Sequence, residues 1–139
     1  MARRDAELLA RVPLFAGLSK RHLRGLAAIA REQRFDEGEA IAREGKPGDD
    51  FYVIVSGQAK VLRGKRALGR LTPGDFFGEI ALLDEGPRSA SVVAETPITV
   101  LTINRRPFQT ALQREPSVVL KMLEELAGRL RSQERSLTG

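Results

Sequence analysis

Glycine sets the limits on this fold. Nine of the 13 glycines fall between residues 38 and 86, at positions 38, 45, 48, 57, 64, 69, 74, 78 and 86. Turn signals therefore recur every few residues. Between and just after them lie short β-rich runs: Ala40–Arg43, Phe51–Ser56, Ala59–Arg63, Ala67–Leu71, Ser89–Ala94 and Ile98–Asn104. Asp49-Asp50 and Gly57-Gln58 are turn chemistry, and Arg63-Gly64-Lys65-Arg66 reads as a hairpin tip. Strands this short and numerous predict a mainly β fold, a small antiparallel jelly-roll barrel over residues 33–104.

Helices flank the glycine-rich middle. Residues 5–11 and 19–31 read as helices, with Ser19 as N-cap of the second. Leu23, Leu26, Ala27 and Ala30 recur there at helical spacing. Val12-Pro13-Leu14-Phe15 is an apolar turn between the two. After Pro107 the pattern is helical again, over Phe108–Arg114 and from Pro116 onward. Val119, Met122, Leu123, Leu126 and Leu130 form one apolar stripe on the last helix. The stripe fits docking onto the barrel, a homodimer seam, or a lid over a pocket. The whole reads as one domain, 1–139, with N-terminal helices in 1–32 and a C-terminal helix pair in 105–135.

Composition narrows the setting. The 139 residues are 42% hydrophobic, enough for a compact core. No apolar run approaches the roughly 20 residues of a membrane helix. The charged start, Met-Ala-Arg-Arg-Asp-Ala-Glu, lacks a signal peptide's apolar stretch. With no cysteine there is neither disulfide nor thiolate metal site. A cytoplasmic chain without a membrane segment is expected. The net charge of +5 is uneven: residues 1–35, 63–75 and 105–139 are basic, while 36–62 and 76–104 are acidic. No base-reading motif accompanies the basic ends, so DNA binding by this chain alone is not expected.

Residues 78–90 carry the chemistry. Glu79–Leu82 suits one turn of helix, Gly86-Pro87 makes a loop, and the next strand begins at Arg88-Ser89-Ala90. The start of a helical turn offers unpaired backbone N–H groups to an anion. Gly78 lets a ligand approach the backbone. Arg88 can hold a phosphate through two parallel hydrogen bonds, and Ser89 adds a hydroxyl and an amide. Glu79 accepts hydrogen bonds, which suits a sugar hydroxyl. A phosphorylated sugar satisfies the set. Taken as two residues alone, Glu79 and Arg88 are better read as a turn with a surface ion pair contributing about 0–1 kcal/mol.

The longer segment resembles a known family. Phe77-Gly78-Glu79-Ile80-Ala81-Leu82-Leu83 followed by Pro87-Arg88-Ser89-Ala90-Ser91-Val92 is similar to the phosphate-binding cassette of cyclic nucleotide-binding domains. Glu44-Gly45-Lys46-Pro47-Gly48-Asp49-Asp50-Phe51-Tyr52-Val53-Ile54, Gly57 and Leu71-Thr72-Pro73-Gly74-Asp75-Phe76 also resemble that family, over roughly residues 12–135 in all. The resemblance implies that Glu79 binds the ribose 2′-hydroxyl and Arg88 the cyclic phosphate. It implies that amides near Ile80 and Ala81, and those of Ser89 and Ala90, complete the cradle, with Gly78 supplying backbone geometry. Serine at position 89 resembles the catabolite-activator-like members, where alanine marks kinase regulatory subunits and threonine cyclic-GMP-selective members. Cyclic AMP is therefore preferred over cyclic GMP. Base contacts would come from Arg129 and Gln133 on the last helix, while Arg63 and Lys65 read as surface charge.

Rival readings lack their residues. The single histidine, His22, sits in a predicted helix, which disfavours a metal-binding cupin and, without cysteine, haem or iron–sulfur chemistry. No nucleophile elbow or P-loop appears, so neither an enzyme nor a cofactor is expected. Asp84 and Glu85 read as a solvated acidic loop. The expectation is a sensor module signalling through its C-terminal helix, to a homodimer partner or an effector. Alternatives are the sensor part of a transcription regulator without its helix-turn-helix, or a scaffold with a silent pocket.

Overall fold

A computed structural model describes residues 2–82 and 86–138, the side chains of 2–4, 79, 80, 129 and 132–138 excepted. Two compact units emerge, residues 29–108 and residues 1–28 with 109–139.

The first unit holds eight strands: β1 Arg31–Phe35, β2 Ala40–Ala42, β3 Asp50–Ser56, β4 Ala59–Arg63, β5 Arg66–Leu71, β6 Phe76–Phe77, β7 Ser91–Ala94 and β8 Ile98–Asn104. They form two four-stranded sheets, β1-β8-β3-β6 and β2-β7-β4-β5, antiparallel at each pairing. This is the jelly-roll arrangement, but the strand pairing does not close the sheets into a barrel among the described residues. Facing residues of both sheets share one core, including Tyr52, Ile54, Val92, Ala94, Ile98 and Val100. The alternate residues of β3 and β8, Phe51, Val53, Leu101 and Ile103, are also buried, so both faces of that central pair are covered.

Three strands depart from the sequence reading by more than one residue. The helix expected over 19–31 ends at Ile29, and Arg31–Phe35 is a strand paired with β8 from Arg31–Thr102 to Phe35–Ile98. Arg-Glu-Gln-Arg favours a helix locally, but pairing with β8 and packing of Phe35 against the core override it. β6 has only two residues and pairs Tyr52 with Phe77 and Val53 with Phe76. The strand expected from Ser89 starts at Ser91, which leaves Arg88–Ala90 outside the ladder.

The second unit is helical. It contains α1 Ala2–Ala10, a 3₁₀ turn at Pro13–Phe15, α2 Lys20–Ile29 up to Ala28, and α4 Pro116–Thr138, which follows α3 Arg105–Arg114. The side-chain hydroxyl of Ser19 accepts from the His22 N–H at 3.3 Å, as its capping role requires. The apolar stripe of the last helix divides. Of its residues Met122 is buried, Val119 and Leu126 are half-buried, and Leu123 and Leu130 are exposed by 56% and 61%; outside the expected stripe, Val118 is buried and Leu120 is exposed by 59%. Residues 118 and 122 are one turn apart on the covered side, and 120, 123 and 130 follow helical spacing on the open side. No helix among the described residues is long and apolar enough to cross a membrane.

Candidate functional site

The first unit contains an open cavity of about 610 Å³, within the ordinary size range of small-molecule pockets. Val61, Leu71, Phe76, Phe77 and Val92 give it an apolar wall. Gly78, Ala81, Arg88, Ser89 and Ala90 line its polar part. Five of the seven cassette residues expected from the sequence are thus brought to one cavity.

Arg88 is placed by its own backbone and by the space made for its head. Its N–H donates to the Lys46 carbonyl at 2.9 Å, and its carbonyl accepts from the Gly45 N–H at 2.8 Å. Pro47 and Pro87 form an adjoining β-bridge. The guanidinium Nη2 donates to the Asp50 carbonyl at 2.6 Å, and the group lies 5.8 Å from the centre of the Tyr52 ring. Two glycines make this position available. A Cβ on Gly48 would fall 2.2 Å from the Arg88 Nε, and one on Gly78 would fall 2.5 Å from Nη1 and 2.8 Å from the Asp50 carbonyl oxygen. Gly78 also has φ +83°, a conformation disfavoured for any residue with a Cβ. A guanidinium carries five donors, so an anion in the cavity can still be held.

The support reaches two strands further. The Asp50 carboxylate accepts from the Tyr52 hydroxyl at 3.4 Å and from Asn104 Nδ2 at 3.0 Å. Tyr52 stacks on Phe77 with centroids 4.8 Å apart. Sequence reasoning missed Gly48, Asp50, Tyr52 and Asn104 as parts of the site. The Gly48-Asp49-Asp50 turn was the one visible signal, and it does not say what packs on it.

Burial, and next the nearby Asp50 charge, push the Tyr52 hydroxyl up to about 12, against the lowering influence of Arg88. Tyr52 is the single tyrosine, so an alkaline absorbance titration reads it alone. The midpoint is expected at about 12 instead of 10. The folded state then holds a proton that the unfolded chain releases. This contribution to stability is full below pH 10 and is lost as the pH rises through 12. A midpoint near 10 would contradict the burial of the hydroxyl beside Asp50.

The helical turn falls at Glu79–Leu82, as read from the sequence. The Ala81 N–H donates to the Gly78 carbonyl at 3.0 Å, so that amide already has an acceptor. Arg105 Nη1 donates to the Ala81 carbonyl at 3.4 Å. The side chains of Glu79, Ile80, Arg129 and Gln133 lie outside the described residues, as does the Asp84-Glu85 loop. Ser89 is exposed and Ala90 half-buried. Arg63, read as surface charge, donates from Nε to the Ser89 carbonyl at 3.2 Å. His22 Nε2 lies 3.4 Å from a Glu115 carboxylate oxygen. No group of three or more metal-ligating His, Cys, Asp or Glu occurs among the described residues.

Comparison with known proteins adds independent findings. The family model described as the cyclic nucleotide-binding domain matches residues 32–115. A cAMP-dependent protein kinase regulatory subunit of Hypocrea atroviridis is 36% identical over 104 residues, 75% of this chain and 22% of that protein. A CRP-like cAMP-activated global transcriptional regulator of Mycobacterium tuberculosis is 31% identical over 138 residues, 94% of this chain and 61% of that protein. The chain thus spans less than two thirds of either curated relative. Among solved structures, the N-terminal domain of a transcriptional regulator from Streptomyces coelicolor A3(2) superposes with TM-score 0.85 at 33% identity, covering 91% of this chain and 94% of that one.

Proposed function

This chain belongs to the cyclic nucleotide-binding domain family, and we propose that it is a sensor that binds cyclic AMP, in preference to cyclic GMP, in the cavity beside Arg88. The observation that carries the reading is the Arg88 guanidinium, seated between Gly48 and Gly78 at the edge of that cavity. Arg88 takes the cyclic phosphate by paired charge-assisted hydrogen bonds. The Ser89 and Ala90 amides complete the phosphate cradle, with Gly78, Ile80 and Ala81 contributing the opposite backbone. Glu79 accepts from the ribose 2′-hydroxyl. The apolar wall of Val61, Leu71 and Val92 receives the base.

Both curated relatives are regulatory by name, and the proposed role has no catalytic step. Binding is a population shift: the ligand favours the chain conformation that holds it best. The output passes through α4, whose exposed Leu120, Leu123 and Leu130 offer a face to a second copy or an effector. The likeness to the N-terminal domain of a transcriptional regulator favours a second reading, in which this chain is the sensor part of such a regulator.

Calorimetric titration tests the binding claim. Cyclic AMP is expected to bind with one site per chain and more tightly than cyclic GMP. Absence of heat at high ligand excess would overturn it.

A further inference from the structure

We propose that Arg63 is a positioning residue for the cavity, setting the direction of the Ala90 N–H through the Ser89 carbonyl. The inference rests on the cyclic-nucleotide reading of that cavity, and it concerns a residue whose charge alone suggests no role.

The backbone around the cassette leaves a gap that Arg63 fills. β4 pairs with β7 from Ala59–Ala94 to Leu62–Ser91, and the ladder stops there. On the other side, Arg88 is held by backbone bonds to Gly45 and Lys46. Ser89 and Ala90 lie between these two anchorages. Arg63 is the next residue along β4 after the ladder ends. Its Nε donates to the Ser89 carbonyl at 3.2 Å, so a side chain carries the β4–β7 association one step further.

Peptide geometry converts this contact into an orientation. The Ser89 carbonyl and the Ala90 N–H belong to one planar trans unit and point in opposite directions. Anchoring the oxygen toward Arg63 therefore turns the Ala90 N–H away from the hairpin. Ala90 lines the cavity, where a phosphate needs that donor fixed beforehand. Binding costs less when the donor does not have to be ordered.

The hairpin that carries Arg63 is itself fixed. The Gly64 N–H at its tip donates to Glu44 Oε1 at 2.7 Å, and the Glu44 N–H donates to the Ser91 hydroxyl at 2.9 Å. Glu44 thus ties the β4–β5 tip to the start of β7 across both sides of the Ser89 unit. Arginine suits the position because its Nε–H lies in a rigid plane, where a lysine ammonium is a flexible point donor.

The test uses the full chain and three variants, Arg63→Ala, Arg63→Gln and Arg63→Lys. Nitrogen-15 relaxation is measured without ligand, and cyclic AMP affinity at two salt concentrations. In Arg63→Ala the Ala90 amide order parameter is expected to fall from about 0.85 toward 0.6. Affinity is expected to drop about tenfold, as one charge-assisted hydrogen bond would give. Arg63→Gln keeps an N–H donor without charge and is expected to recover part of both. Arg63→Lys recovering affinity while Arg63→Gln recovers none would overturn the proposal in favour of a charge acting on the phosphate directly. An unchanged order parameter in Arg63→Ala would also overturn it. If wild-type protein bound no cyclic AMP, the sensor reading would fall, and the ligand-free relaxation data would still decide whether Arg63 orients the peptide.

Discussion

Replacing Arg88 with alanine is expected to cost about 2–4 kcal/mol of cyclic AMP binding, roughly 30- to 700-fold in Kd. The loss has two parts. The phosphate gives up its bidentate partner in a half-buried setting, where screening by water is weaker. The Asp50 carbonyl gives up a donor at 2.6 Å, and the space between Gly48 and Gly78 is left vacant. Arg88→Lys separates charge from geometry. It keeps the cation but loses the planar fork, so its affinity is expected to fall between wild type and Arg88→Ala. Glu79→Ala is expected to hurt less than Arg88→Ala, since it removes a contact to a neutral hydroxyl. Calorimetry gives each value, and thermal melting shows whether folding is shared. Wild-type affinity in Arg88→Ala would overturn the assignment of the phosphate site.

Gly78→Ala is the second large effect. At φ +83° an added Cβ costs about 1–2 kcal/mol of backbone strain. Its contact with the Asp50 carbonyl oxygen at 2.8 Å adds overpacking against backbone, which cannot swing aside, worth about 1–3 kcal/mol. A total loss of about 2–5 kcal/mol in folding stability is expected. The same methyl meets Arg88 Nη1 at 2.5 Å, so cyclic AMP affinity is expected to fall as well. Gly38→Ala is the matched control. Gly38 has φ +86° with nothing within 4 Å of its added Cβ, so it pays the strain without the crowding. Chemical denaturation of the two variants isolates the close approach. Equal stability losses, with binding intact in both, would show that the Arg88 seat does not need the glycine.

How much of this was legible depends on the range of the interaction. The Glu79–Leu82 turn and the Arg63–Arg66 tip could be read because their signals are local. β1 could not, because Arg31–Phe35 has helix-forming residues and becomes a strand only by pairing with β8, some 70 positions away. β6 was hidden by its two-residue length. The stripe on the last helix had the right period, but periodicity does not say which side is covered. Met122 took the buried side together with Val118, which the stripe did not include, while Leu123 and Leu130 stayed open. In the site, the sequence marked Arg88 and Gly78 through the cassette motif. It did not mark the Asp50 carbonyl, which is 38 positions from Arg88 and is a backbone group that any residue could have supplied. Arg63 was masked in the same way, since its acceptor is also a backbone carbonyl.

The central claim is that the Gly78–Ala90 segment holds the cyclic nucleotide. Amide NMR of the full chain during a cyclic AMP titration tests it most directly. The largest shifts are expected at the amides of Gly78, Ala81, Ser89 and Ala90 and at the Arg88 Nε–H, saturating together at one ligand per chain. Shifts confined to residues outside that segment, or none at saturating ligand, would contradict it.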